Sequence, residues 1–290
     1  MKKALIIYNP VSGSKSWKNV PDIIERALKK HGYKGTWFET KNVKKQPLEP
    51  FAKKRFDRII AIGGDGTVAE VAAFMIKNKI KTPLVIIPQG SANILATTLH
   101  LPLFSVSQAI KKGLTQKAQP IDAMKVNNQH IGLIATGCGY DVLIMKHTTR
   151  NLKRTLGAAA YAWIFLKTFF TYKAHPYKLT IDGKRHYISA KSILVFNLMP
   201  FQSLKLTKHL IPEKILPTDQ TLNIVAFNPS SLWDLFKSTP KIQTFKGKSI
   251  HIKAKQTKSY EVDGDIFKGK NVNIEMIPKA IQIVHTKTFK

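Results

Sequence analysis

The run Gly63-Gly64-Asp65-Gly66-Thr67 places three glycines and one carboxylate between an apolar stretch, Arg58–Ile62, and a segment in which Val68, Val71, Ala72 and Met75 recur at helical spacing. The pattern predicts a strand, a tight loop and a helix. Without a Cβ, glycine lets phosphate oxygens come close to the backbone. The N–H groups that open the following helix then face an anion. Asp65 by itself repels phosphate; it makes chemical sense there if a cation bridges the two or if it handles a proton. The run has no Gly-Lys-Ser/Thr ending, so it is not a P-loop. A plain turn with a surface Asp is the rival reading, and the restrictive pattern argues against it.

Three further strand ends must position ligand groups beside this loop. Ala4–Tyr8 reads as a first strand, followed by Asn9-Pro10-Val11-Ser12-Gly13, rich in amide, hydroxyl and glycine. A helix beginning at Pro21, with Ile23, Ile24, Ala27 and Leu28, leads to a second strand, Gly35–Glu39, with Thr40 just beyond it. Asp57–Ile62 is the third strand, feeding the glycine loop. Leu84–Ile87 is the fourth, ending in Pro88-Gln89-Gly90-Ser91-Ala92-Asn93 before a helix from Ile94 to Leu99. Strands alternating with helices predict a parallel sheet. Ligands bind beyond the carboxyl ends of such strands, so Asn9–Gly13, Thr40, Gly63–Thr67 and Gly90–Asn93 should converge on one edge.

After a helix at Ser105–Lys112 the pattern changes. Lys125–Ile131 looks like a hairpin, and short strands follow at Tyr177–Ile181, Lys184–Ala190, Ser192–Asn197, Leu222–Phe227, Ser249–Ala254, Ser259–Val262, Val272–Ile277 and Ala280–His285. Asp182-Gly183 and Asp263-Gly264 are hairpin signals. The expected architecture is therefore α/β + β: an N-terminal parallel-sheet domain, then a second, mostly antiparallel β domain, with the boundary near Pro120. One nearly all-apolar segment, Leu156–Phe170, interrupts the β half behind Arg150, Lys153 and Arg154. It reads as a buried core helix, or as one lining an acyl pocket or touching a membrane surface.

Composition narrows the setting. A chain of 290 residues supports two domains, and 43% hydrophobic with 22% charged residues is that of a folded soluble protein. The lone cysteine, Cys138, excludes an internal disulfide framework and fits a reducing cytoplasm. Met1–Tyr8 reads as the first strand rather than a signal peptide, and no apolar run reaches membrane-spanning length. The nine histidines show no metal-ligand spacing. With 47 Lys+Arg against 17 Asp+Glu, the net charge of +30 attracts anionic lipid, nucleic acid or anionic cofactors. The basic residues are scattered, with no signature of an RNA-binding module.

The motifs Asn9-Pro10-Val11-Ser12-Gly13, Gly63-Gly64-Asp65-Gly66-Thr67, Pro88-Gln89-Gly90-Ser91-Ala92-Asn93-Ile94-Leu95-Ala96 and Val262-Asp263-Gly264-Asp265, in that order, resemble the diacylglycerol kinase catalytic-domain family. That family includes sphingosine and ceramide kinases and soluble bacterial lipid kinases. The glycine-Asp motif is shared with NAD kinases; the first and third motifs favour the lipid side. The resemblance implies an α/β domain over 1–120, to which 281–290 return, and a β-sandwich lipid-substrate domain over 121–280, with the site between them. It implies ATP contacts at Asn9, Ser12, Thr40, Gly63, Gly64, Asp65, Gly66, Thr67, Gly90, Ser91 and Asn93. Asp65 would help hold magnesium-bound phosphates.

The same resemblance gives Asp265 the role of the base that takes the lipid hydroxyl's proton, where the family usually has Glu. An ordinary Asp-Gly hairpin with a solvated second Asp is the competing reading. A structural Mg2+ is implied at Leu216, Asp219 and Thr221, through one carboxylate and two backbone carbonyls, although Gln220 replaces the usual glycine. Asp141 matches a position near the lipid head group, with a helix N-cap as the alternative. Asp122 also matches a frequent family Asp. Asn93-Ile94 stands where many bacterial members read Asn-Asp, and Met199–Lys214 lacks the usual glycine pair.

The implied activity is an ATP- and Mg2+-dependent lipid kinase of phospholipid metabolism, cytoplasmic and peripheral at anionic membranes. Its substrate would be diacylglycerol-like or a sphingoid base; no nucleic-acid partner is expected, and oligomeric state is open, a homodimer included. Two alternatives stand beside it. One is an NAD kinase, against which the absence of any Asn-Glu pair counts. The other is a catalytically weak member that binds lipid or nucleic acid.

Overall fold

Ile, Val, Leu and Ala fill three short runs near the N-terminus, and in each the interior residues are buried on both faces. Such runs form parallel strands covered by helices on either side. The computed structural model describes residues 1–10, 17–40, 48–147, 172–199, 215–228, 242–254 and 258–286. The chain divides into two compact units, Met1–Ala123 with Ile277–Lys290, and Met124–Met276.

In the first unit the order is β1 (Lys2–Tyr8), α1 (Val20–Lys30), β2 (Tyr33–Glu39), β3 (Arg58–Gly63), α2 (Asp65–Lys77), β4 (Leu84–Pro88), α3 (Ile94–Thr98), α4 (Val106–Thr115) and the first part of β5 (Ala118–Val126). The strands align as β2-β1-β3-β4, all parallel. The end of β16 (Asn271–Val284) joins beside β4 through Ile283 and Leu84. Ala4, Ile6, Ile60, Ile62, Val85 and Ile87 meet Ile24 and Leu28 of α1 and Ile110 and Leu114 of α4 in one core. Proline in the first turn starts α1 and Ser105 caps α4 through Gln108 N at 3.2 Å.

The second unit is built on β6 (His130–Gly132), β7 (Ala135–Gly139), α5 (Tyr140–His147), β8 (His175–Ile181), β9 (Lys184–Ala190), β10 (Ser192–Phe196), β11 (Leu222–Phe227), β12 (Ile242–Gly247), β13 (Ser249–Ala254), β14 (Ser259–Val262), β15 (Asp265–Lys268) and the start of β16. One antiparallel layer runs β16-β13-β8-β9, the other β12-β11-β10-β7-β14-β15. Leu179, Ile181, Ile250, Ile252 and Ile274 of the first layer share a core with Ile193, Val195, Ile224 and Tyr260 of the second. That is a β-sandwich.

Sequence periodicity does not pick out β7, β12 or β15, and it splits β16 in two. The strand instead continues through Lys279, whose φ is 48°. The N–H of Lys279 is taken up by Asp122 Oδ1 at 2.6 Å, which gives the buried Asp122 a structural duty. Among the described residues no helix is long and apolar enough to cross a membrane. The apolar segment Leu156–Phe170 lies outside the described residues.

Candidate functional site

The register of the parallel strands brings four loops to one edge of the first unit. Tyr8 stands between Glu39 and Ile62, and Gly63 faces Pro88. The chain therefore leaves β1 at Asn9, β2 at Thr40, β3 at Gly64 and β4 at Gln89. Asn9 N donates to Ile62 O at 3.1 Å and Gln89 N to Gly63 O at 2.8 Å, stitching successive loops together. Thr40, buried, donates its backbone N–H to Tyr8 O at 2.8 Å and its hydroxyl to the same oxygen at 3.3 Å.

The two glycine loops touch. A Cβ on Gly90 would lie 2.5 Å from Gly64 Cα, and one on Gly64 would lie 3.2 Å from Gly90 Cα. Only residues without side chains allow backbones this close. Asn93, left-handed with φ 48°, fixes the second loop: its Oδ1 accepts from Gly90 N at 2.9 Å and its Nδ2 donates to Gly90 O at 2.7 Å. Asp65 opens α2 and reaches across, its Oδ1 accepting from Leu95 N at 3.2 Å. Thr67 is buried beneath Gly63, whereas Gly66 and Ser91 are exposed at the rim. Asn9, Thr40, Gly63–Thr67, Gly90, Ser91 and Asn93 thus stand along one edge; Ser12 lies outside the described residues. The edge offers glycine backbone and the positive end of a 13-residue helix, with one carboxylate among them.

The second unit holds a different constellation. Asp263 (φ 49°) and Gly264 (φ 94°) form the two-residue turn between β14 and β15, with Val262 paired to Asp265. Both φ values are left-handed, the geometry Asp-Gly supplies in a type I′ hairpin. The Asp263 carboxylate accepts three backbone N–H groups, from Leu133 at 2.7 Å, Ile134 at 2.9 Å and Ala135 at 3.0 Å. Asp263 is thereby committed to holding the turn against the β7 entry. Asp265, the next acid along, is exposed at the start of β15.

Two buried carboxyls lie behind the turn. Glu261 is buried, and its Oε2 accepts from Gly264 N at 2.9 Å. It stands opposite Gly137 in the β14–β7 pairing. Asp141, in the first turn of α5, binds Ser192 twice: its N–H donates to Ser192 Oγ at 2.9 Å, and its Oδ1 accepts from that hydroxyl at 2.8 Å. Its Oδ2 is enclosed with no hydrogen-bond partner. That oxygen uses the space a side chain at Gly137 would fill, 2.5 Å from the position of a Cβ. Burial pushes Asp141 up to about 6 from 3.8, with the Ser192 hydroxyl and backbone N–H groups pulling the other way. Burial, then the charge of Asp141, raises Glu261 well above the usual range, with Asp263 and Asp265 adding to the rise and Gly264 N opposing it. The buried Cys138 thiol is raised as well, by burial first and then Asp141 and Glu261. Tyr172 is pushed up to about 12 by burial, Asp141 and Cys138.

Motif reading misses Glu261, and no local signal marks it. Alternation along Ser259-Tyr260-Glu261-Val262 turns Glu261 away from the face that buries Tyr260 and Val262, the side that faces water in a half-exposed strand. All four residues are buried here, because α5 packs against β14. The Leu216–Thr221 loop stands apart from these groups in sequence. There Asp219 Oδ1 accepts from Thr221 N at 3.0 Å and Thr221 Oγ1 at 2.9 Å, and Gln220 adopts the left-handed φ of 58° that a glycine takes without strain.

Family models match both parts of the chain. Residues 3–126 match "Diacylglycerol kinase catalytic domain" and residues 134–285 match "YegS C-terminal NAD kinase beta sandwich-like domain". A protein described as a candidate lipid kinase from Staphylococcus aureus (strain bovine RF122 / ET3-1) is 29% identical over 246 residues, covering 80% of this chain and 78% of its own. Its counterpart in strain JH9 is 28% identical over the same coverage. A solved structure from Bacillus anthracis str. Sterne, described as a candidate diacylglycerol kinase, superposes with a TM-score of 0.79 at 25% identity, covering 98% of this chain and 97% of that one.

Proposed function

The chain belongs to the diacylglycerol kinase catalytic-domain family, and from that membership we propose that it transfers the γ-phosphate of ATP to the hydroxyl of a diacylglycerol-like or sphingoid lipid. The observation that carries the reading is the contact of Gly64 with Gly90 beside Asp65, at the N-terminus of α2. The residues present fit a nucleotide polyphosphate. The helix end and glycine backbone favour its charge, and a Cβ at Gly90 would be excluded by Gly64 itself. Asn9, Thr40, Gly66, Thr67 and Ser91 would complete the ATP contacts.

Phosphoryl transfer is a matter of placing groups and neutralising charge. Magnesium, when bound, supplies the positive charge that lets a carboxylate sit beside phosphates. Asp65 would hold that charge while its bond to Leu95 N ties the two glycine loops together. Asp265 is exposed and lies in a turn whose neighbour, Asp263, is fixed by three N–H groups. It would accept the lipid hydroxyl proton; the hydroxyl oxygen then bonds to the γ-phosphorus as the bond to ADP breaks. Asp141 would face the lipid head group, and Leu216, Asp219 and Thr221 would hold a structural Mg2+. The +30 charge suits a peripheral enzyme of anionic membranes, each basic residue near the surface adding on the order of 1 kcal/mol.

The test is a labelled-ATP assay against mixed diacylglycerols and sphingoid bases, with NAD as a separate acceptor because the C-terminal family is described as NAD kinase-like. Label in an organic-soluble product is the expected result. Label in NADP alone overturns the lipid assignment, and no transfer to either acceptor points to a binding protein.

A further inference from the structure

At the edge of the parallel sheet opposite the glycine loops, where β1, β3 and β4 begin, the first unit has a cavity of about 590 Å³. Phosphoryl transfer as proposed above makes no use of it. Its lining includes Lys3, Lys53, Lys54, Arg55 and Lys79, with Asp57 as the one carboxylate. These residues come from separate parts of the chain: the start of β1, the turn before β3, and the segment after α2.

The wall is built rather than loose. Lys3 N donates to Asp57 Oδ2 at 2.7 Å while Asp57 N donates to Lys3 O at 2.8 Å. Thr82 Oγ1 donates to Phe56 O at 3.1 Å, and Ile59 N to Pro83 O at 3.0 Å. The one carboxylate is thus engaged with backbone. Lys54 Nζ rests over the Phe51 ring at 5.3 Å. Lys53, Arg55 and Lys79 are exposed, and no carboxylate among the described residues pairs with them. Three of the last four carbonyls of α2, whose negative end would oppose an anion, accept hydrogen bonds: Phe74 O from Asn78 N, Met75 O from Ile80 N and Ile76 O from Lys79 N.

Five cations around a single carboxylate repel one another, and a concave site concentrates their field. A multiply charged anion relieves that repulsion. Phosphate suits the donors, because the Arg fork binds it bidentately and lysine ammonium groups add point charges. The volume lies in the range of small-ligand sites, roughly 300–1,000 Å³. We propose that this cavity binds a phosphate-bearing ligand with at least two negative charges, at a site separate from the glycine loops. The phosphate can come from a free polyphosphate or from a phospholipid head group.

The experiment uses the full chain with divalent cations chelated and ionic strength held constant. Two probes are used: pyrophosphate, read by calorimetric titration and thermal melting, and vesicles of phosphatidylglycerol against phosphatidylcholine. A cavity variant, Lys53→Gln/Arg55→Gln/Lys79→Gln, is compared with Lys184→Gln/Arg185→Gln/Lys270→Gln, which removes equal charge elsewhere. Pyrophosphate should raise the Tm of wild type and control by roughly 2–4 °C and bind the cavity variant at least about tenfold more weakly. Without anion, the cavity variant should melt no lower than wild type, since repulsion has been removed. Loss of the pyrophosphate response in the cavity variant alone assigns a free phosphate; loss of phosphatidylglycerol binding in that variant alone assigns a lipid head group. If both variants respond alike to both probes, the charge is diffuse and the site does not exist. Arg55→Lys, which keeps charge and fold but loses the fork, should weaken pyrophosphate binding severalfold; binding equal to wild type in this variant and in the cavity variant overturns the proposal.

Discussion

Around Gly64 and Gly90 two backbones meet because neither residue has a side chain; around Asp263 a side chain takes the place of a backbone partner for three N–H groups. The first arrangement keeps glycine backbone and a helix end at a rim where Gly66 and Ser91 are exposed. The second consumes its polar groups internally and leaves Asp265 facing outward. Neighbouring acids in one turn, Asp263 and Asp265, therefore do different work. One spends its charge on rigidity; the other stays exposed, as the base proposed above must be.

The largest expected effect comes from removing the outward-facing acid. Asp265→Ala should lower kcat by roughly 10²–10⁴-fold with ATP affinity unchanged. Asp265→Glu should keep or raise activity if reach limits the wild type. Activity indifferent to Ala, Asn and Glu alike would reduce Asp263-Gly264-Asp265 to a hairpin. On the glycine side, Asp65→Asn should cost roughly 10²–10³-fold in kcat. The fold should survive, because Asn Oδ1 still accepts from Leu95 N. An unchanged kcat with a normal melting curve would remove Asp65 from the phosphate chemistry.

The division of labour within the turn is sharpened by Asp263→Ala. It leaves three buried-side N–H groups to find new partners and should destabilise the protein by about 2–4 kcal/mol in urea unfolding. Asp265→Ala should leave the urea midpoint in place. Equal midpoints for the two variants would contradict the distinction drawn between them.

The smallest effect is a pH dependence. Burial holds Asp141 at about 6 rather than 3.8, so between those values the folded protein keeps a proton that the unfolded chain gives up. Stability is therefore full below about pH 4 and falls as pH rises toward 6, as far as this group is concerned. Glu261, also raised, adds to the fall in the same direction. Asp141→Asn should flatten the fall in Tm across that window; an unaltered slope would show that Asp141 is not held protonated.

The sequence by itself determined the parallel half and the edge where its strand-end loops gather. Periodicity over Val68–Met75, proline at the start of α1 and glycine after β3 are local signals, and local backbone preference needs no distant partner. It likewise placed the Asp263-Gly264 turn, whose left-handed φ values follow from residue type. Only the tertiary structure decided what surrounds that turn. Ala135-Thr136-Gly137-Cys138-Gly139 has weak strand character, and becomes β7 because β10 and β14 flank it. Thr136 and Glu261, 125 residues apart, are joined by a 2.5 Å hydrogen bond. Glu261 is buried because α5 covers β14, and Asp141 fits beside it because residue 137 is a glycine. Burial of an acid depends on what the rest of the chain lays over it, and alternation along its own strand carries no record of that.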